Sequence, residues 1–208
     1  NIGLIYWHQG NYSKALDYYF KSLTMKEKLG DKNGIAANLG NIGIIYDDQK
    51  EYTKALDYYF RALKMHEEVG DMHGIAIQLG NIGVLYFSIK RYKKAEEFLY
   101  RTLALSDSIG ALNDVRSWYE NLSELYEKSN IPLRDSIGGK LLTMEGMRLR
   151  ALYYHKRYIA VRDTLFSEEN KKQLVRKEMN YEFEKKEAAT KAEQNKKDAI
   201  AAVEGKRK

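Results

Sequence analysis

The triplet Asn-Ile-Gly stands at residues 1–3, returns at 41–43 and 81–83, and survives loosely as Asn121-Leu122-Ser123. This spacing of 40 residues constrains the chain more than any other feature. Self-similarity at a fixed period of roughly 20–50 residues is the mark of stacked supersecondary units, each too small to bury its apolar face alone. Residues 1–40 and 41–80 agree at 24 of 40 positions. The third unit diverges and the fourth is degenerate, as terminal units do when one face lacks a neighbour. The opening residues already sit inside a unit and no Met precedes them, so the sequence is expected to be a piece of a longer protein.

Within one unit the apolar spacing is helical. Over residues 31–70, Asp31 is a good N-cap, and Gly34 to Gln49 carries Ile35, Leu39, Ile42 and Tyr46 on one face. Lys50-Glu51 makes a short turn. A second helix over Tyr52 to Val69 turns Ala55, Leu56, Tyr59, Leu63 and Met65 inward, and Gly70 is its expected left-handed C-cap. The unit is thus a pair of antiparallel helices of about 18 residues, each near 27 Å long. No segment alternates in the manner of a strand, and the fold class is all-α, an α-α superhelix of helical hairpins.

Composition removes several function classes. Hydrophobic residues make up 44% of the chain, too many for wholesale disorder, and no apolar run is long enough for a membrane helix. With no Cys there is no disulfide, thiol nucleophile or thiolate metal site. The net charge of +6 is interleaved with acidic residues except at Lys206-Arg207-Lys208, so no nucleic-acid partner is expected. The four His are His8, His66, His73 and His155. His66 and His73 flank one interhelical turn without a third ligand at metal spacing. No nucleophile elbow, phosphate loop or dinucleotide fingerprint occurs, so neither catalysis nor a cofactor is expected of this chain.

These residues resemble the tetratricopeptide repeat. Gly3, Gly43 and Gly83 stand where paired helices approach, followed by Tyr6, Tyr46 and Tyr86. Ala15, Ala55 and Ala95 take the close crossing, Tyr19, Tyr59 and Leu99 the large position, and Ser22, Ala62 and Thr102 the last small one. The resemblance covers about residues 1–129. It departs from the family in its longer period and in Gly30, Gly70 and Gly110, which replace a usual Pro. It implies a concave face lined by the first helix of each pair, suited to an extended peptide or protein ligand. By the same resemblance Asn1, Asn41, Asn81 and Asn121 form a ladder in that groove, each amide able to donate to and accept from a peptide backbone. The alternative is that each Asn bonds its own helix. Groove walls are expected from Leu4, Trp7 and His8, from Ile44, Asp47 and Asp48, and from Val84, Phe87 and Ser88. Apolar walls with one acidic step suit an amphipathic or basic peptide. The paired Tyr18, Tyr19, Tyr58 and Tyr59 are expected to be packing between units.

The last third differs. Residues 130–166 read as a degenerate final repeat with an inserted loop around Gly138-Gly139, followed by a helix from about Lys140 whose Tyr153, Tyr154, Tyr158 and Val161 pack on the Trp118–Leu125 helix. Residues 167–208 read as a charged linker helix with a seam through Val161, Leu165, Glu168, Lys172, Val175, Met179, Glu182, Lys186, Ala189, Glu193, Lys196, Ile200 and Val203. Too many seam positions are charged for a strong coiled coil, so a solvated single helix and a homodimer through this helix both stand open. The runs Tyr158–Asn170 and Tyr181–Lys186 are similar to the junction in Bacteroidetes-type membrane signalling proteins. There, such repeats lead through a charged helix toward a sensor histidine kinase, a class III nucleotide cyclase or a serine phosphatase. That likeness implies a sensor in the periplasm or cell envelope, joined to a membrane only through its parent. The alternative is a cytoplasmic scaffold or peptide-pheromone-type receptor.

Overall fold

A computed structural model describes residues 2–129, 132–133 and 141–205, with side chains except at 181, 188, 189 and 192–205. The expected Gly138-Gly139 loop, the basic Lys206-Arg207-Lys208 and Asn1 lie outside the described residues. Eight helices are described: α1 (Ile2–His8), α2 (Tyr12–Leu29), α3 (Lys32–Asp48), α4 (Tyr52–Val69), α5 (Met72–Ser88), α6 (Tyr92–Ser108), α7 (Leu112–Lys128) and α8 (Met144–Gly205). The chain divides into two units, Asn1–Arg162 and Asp163–Lys208.

In the first unit, consecutive helices pack as antiparallel hairpins that stack on one another. The turns recur with the sequence. Asp31 and Asp71 cap α3 and α5, each accepting from the N–H three residues on (Gly34 and Gly74) at 2.9 Å. Gly30, Gly70 and Gly110 leave the second helices at φ between 65° and 73°. The turn inside each of the first three hairpins uses the same left-handed conformation. Gly10 supplies it in the first, while Lys50 (φ 62°) and Lys90 (φ 60°) bear it as ordinary side chains.

The close approach expected at the recurring glycines is present. A Cβ on Gly3 would stand 2.9 Å from the Tyr19 ring, one on Gly43 2.6 Å from Tyr59, and one on Gly83 2.9 Å from Leu99. Ala15, Ala55 and Ala95 are fully buried at the same crossings. One core runs through the array from Ala55 to Tyr154, joined by a smaller cluster around Ala15, Tyr19 and Ile42. First helices also touch in succession, α3 against α5 and α5 against α7, forming one wall.

The last hairpin is closed by the start of α8. Ser123 Oγ donates to Ala151 O at 2.9 Å, and Tyr154 is buried against Tyr126 and Tyr119. This helix begins at Met144, not at Lys140, because Thr143 Oγ1 accepts from Gly146 N at 3.0 Å and so caps its first turn. Tyr153 differs from its expected packing and is exposed, lying against Arg150. In the second unit, Phe166, Leu174, Val175, Met179 and Phe183 are exposed on the helix surface. No described helix is long and apolar enough to cross a membrane.

Candidate peptide groove

The wall made by α3 and α5 carries the recurring asparagines. Asn41 and Asn81 are half-buried and line one open hollow of about 230 Å³. The register explains why both reach it. Their side chains occupy the same helical position one repeat apart, and Gly40 beside Asn41 also lines the hollow. Asn121 behaves differently. Its Nδ2 donates to Ser117 O at 2.9 Å, turning the amide back on α7.

Further along the same helices, Ile44, Val84 and Phe87 are half-buried and packed on the core cluster. Phe87 lies 6.1 Å from the Tyr92 ring. The two acids at the end of α3 have separate partners. Asp48 Oδ2 accepts from Trp7 Nε1 at 2.5 Å, so the first repeat is tied to the second repeat. Asp47 is half-buried and hydrogen-bonded to the Tyr59 hydroxyl. Burial, followed by the neighbouring Asp48, pushes the Asp47 carboxyl above its ordinary range, and the Tyr59 bond offsets only part of this. The paired tyrosines divide as the repeat dictates. Tyr19 and Tyr59 are buried, and Tyr18 and Tyr58 stack on Tyr6 and Tyr46 at 5.4 Å.

The hollow holds residues that the repeat pattern did not single out for binding. Gln78 and His66 are buried in its lining, with Asp71, His73 and Gly74 beside them. His66 Nδ1 stands 2.9 Å from Asp71 Oδ2, and His73 Nε2 stands 3.0 Å from Asp114 Oδ2. The Gly74 N–H, and then His66, hold the Asp71 carboxyl below its ordinary range, so it is ionised at neutral pH. Among the described residues no group of three or more His, Asp or Glu is placed to hold a metal ion. Chemically, this surface offers amide donors and acceptors, a carboxylate and apolar walls, which suits recognition of an extended chain.

Comparison with known proteins bears on the fold. Residues 1–68 match the family model described as tetratricopeptide repeat. No curated protein matches the chain. Among solved structures, BtubC (BKLC) from P. vanneervenii superposes with a TM-score of 0.64 at 20% identity, over 79% of this chain and 61% of that one. Aspartyl phosphate phosphatase F from Bacillus subtilis gives a TM-score of 0.68 at 16% identity, over 79% of this chain and 39% of that one. A signal-transduction ATPase with numerous domains from Pyrococcus horikoshii, described as having a tetratricopeptide repeat sensor, gives 0.57 at 25% identity, over 60% of this chain and 20% of that one. The chain therefore spans under two thirds of each of these proteins. The fold is a tetratricopeptide-type helical superhelix, with the family's sequence pattern recognised in residues 1–68.

Proposed function

We propose that this chain binds a peptide or protein segment along the α3–α5–α7 wall without transforming it, and that it serves as the sensor region of a membrane-attached bacterial signalling protein. The observation that carries the binding reading is the placement of Asn41 and Asn81, one repeat apart, on the lining of a single open hollow. Two amides so spaced can each pair with a main-chain amide of an extended ligand. The likeness to a tetratricopeptide repeat sensor in a signal-transduction ATPase supports the sensory role. Binding changes the output only if the ligand prefers one of two arrangements of the parent protein.

Calorimetry of the full chain against peptides selected from a displayed random library tests the binding reading. Asn41→Ala and Asn81→Ala are each expected to weaken the selected peptides by about tenfold, the scale of one or two hydrogen bonds. Unchanged affinity in both variants sinks the amide ladder. A second reading, a cytoplasmic scaffold that docks or dimerises through its long helix, is favoured by the exposed Phe166, Val175, Met179 and Phe183 of the second unit. The flanks of the parent gene separate the two. A secretion leader before this segment and an apolar run of about 20 residues after it support the sensor.

A further inference from the structure

The turns inside the first three hairpins share one plan but not one charge. Each leads into a lysine set over a tyrosine ring of the paired helix: Lys14 over Tyr6 at 5.1 Å, Lys54 over Tyr46 at 5.1 Å and Lys94 over Tyr86 at 5.0 Å. In the second turn Glu51 forms an ion pair with Lys54, and position 53 is Thr. In the third turn the same two positions are Arg91 and Lys93. Together with Lys90 and Lys94 they make a run of exposed cations. Among the described residues none of these four has an ion pair. The next acids along α6 do not serve them. Glu96 is buried and accepts from the Tyr126 hydroxyl, while Glu97 is exposed and forms no ion pair. The four cations line a hollow of about 600 Å³ whose apolar side is Tyr86, Ile89 and Tyr92. Both rings are held by the core, and Tyr92 also meets Phe87 at 6.1 Å. Folding does not call for this charge. Like charges repel, the positive end of a helix disfavours cations, and the second hairpin turns with Glu51 and Thr53 in their place.

We propose that the α5–α6 turn is a docking site for an acidic segment of a partner protein, one that carries an aromatic or large apolar side chain among its carboxylates. The site uses the turn and does not rest on the reading of the α3–α5–α7 wall. Charge complementarity selects the partner: four cations without internal partners attract a run of carboxylates, and that attraction needs no fixed side-chain geometry. Arg91 adds a planar fork that matches a carboxylate. The hollow selects a protein segment over an anionic membrane. A bilayer surface lies flat across a concavity, whereas a peptide side chain enters it and covers Tyr86, Ile89 and Tyr92.

The test follows the fluorescence anisotropy of a dye-labelled peptide, a phenylalanine between two pairs of glutamates, as the full chain is added. Saturable binding that weakens in high salt is expected, together with weaker binding when alanine replaces the phenylalanine and none when glutamines replace the glutamates. Arg91→Glu combined with Lys93→Thr gives the third turn the residues of the second, which the fold already accommodates. This double variant is expected to keep the melting temperature and to weaken the peptide by at least about tenfold, the scale of two lost charge contacts and one new repulsion. Lys93→Thr alone is expected to weaken it by about threefold. Lys171→Glu combined with Lys177→Gln, on exposed positions of α8, alters the net charge by the same amount and is expected to leave binding as it was. Equal losses in the two double variants would show a response to net charge alone and overturn the proposal. So would equal binding of the glutamine peptide, or unchanged binding in Arg91→Glu with Lys93→Thr. Attachment to phosphatidylserine vesicles that the turn variant abolishes, without binding of the peptide, would assign the cations to a membrane and overturn it too. Self-association that the same variant abolishes, again without peptide binding, would assign them to a second copy with the same consequence.

Discussion

The glycine at the helix crossing offers the sharpest test of the packing argument. In Gly43→Ala, the new methyl would lie 2.6 Å from both Cδ1 and Cε1 of Tyr59, far inside van der Waals contact. The ring cannot move aside easily, because Tyr59 is 2% exposed and its hydroxyl is held by Asp47. Overpacking of this kind costs about 1–3 kcal/mol. Against it stands the better helix propensity of Ala, about 0.8–1 kcal/mol. The net is a destabilisation of about 1 kcal/mol, read as a fall of roughly 2–4 °C in melting temperature for a unit of this size. Gly146→Ala is the control. Its nearest neighbour would be Thr143 Oγ1 at 3.4 Å, an ordinary contact, so propensity acts alone and the variant is expected to be neutral or up to about 1 kcal/mol more stable. Thermal melts followed by circular dichroism, with amide exchange of α3 and α4 to localise the loss, make the comparison. A Gly43→Ala chain as stable as Gly146→Ala would refute the claim that absent Cβ atoms set the hairpin spacing.

Two further outcomes follow from the turns and the groove. Lys90→Gly relieves a left-handed residue at φ 60°, the place Gly10 fills in the first hairpin, and is expected to raise stability by about 0.5–1 kcal/mol in urea titration; a loss would mean that the Lys90 side chain contributes more than its backbone costs. Asp47→Asn keeps an acceptor for Tyr59 and removes a charge that burial disfavours. Because the folded-state pKa of Asp47 lies above its unfolded value, the native state gains from its neutral form below about pH 4 and loses that gain as pH rises through the folded value. Asp47→Asn is therefore expected to melt higher than the parent at pH 7, with the difference vanishing toward pH 4. Asp31 and Asp71, whose folded pKa values are lowered instead, weaken both proteins alike on acidification and cancel from the difference. A constant difference across this range would show that the Asp47 charge is not the cause.

Helix boundaries and packing were legible because each depends on a residue type with a single physical use at its position. Gly43 against Tyr59, Gly70 at positive φ and Asp71 as a cap follow from the period and from local chemistry. Three features were not legible for the same reason in reverse. Lys50 and Lys90 adopt a conformation that Lys tolerates poorly, so nothing in their identity announces it beyond their alignment with Gly10. Asn121 aligns with Asn41 and Asn81, yet its amide is taken by Ser117, and whether an amide turns to its helix or to a groove depends on three-dimensional surroundings that a period does not encode. The start of α8 at Met144 depended on Thr143, an ordinary N-cap hidden in a segment without a repeat to compare.

A stacked array offers many equivalent positions, and selection for the fold alone drives equivalents toward the same satisfied pattern. Departures from the pattern then fall into two kinds. Some are repaired within the repeat, as Trp118 fills the space over Gly80 and finds Ser106 for its N–H. Gln78 is the other kind: its Oε1 is buried with no partner, and Ala62 beside it carries no hydroxyl where the flanking repeats have Ser22 and Thr102. An unmatched acceptor in the interior of the array is a standing cost to folding that a donor beside it would remove. Ala62→Ser tests this in thermal melts: a hydroxyl that donates to Gln78 Oε1 is expected to raise the melting temperature, and an unchanged or lower value would show that the unmatched acceptor costs the fold nothing that a donor at position 62 can recover.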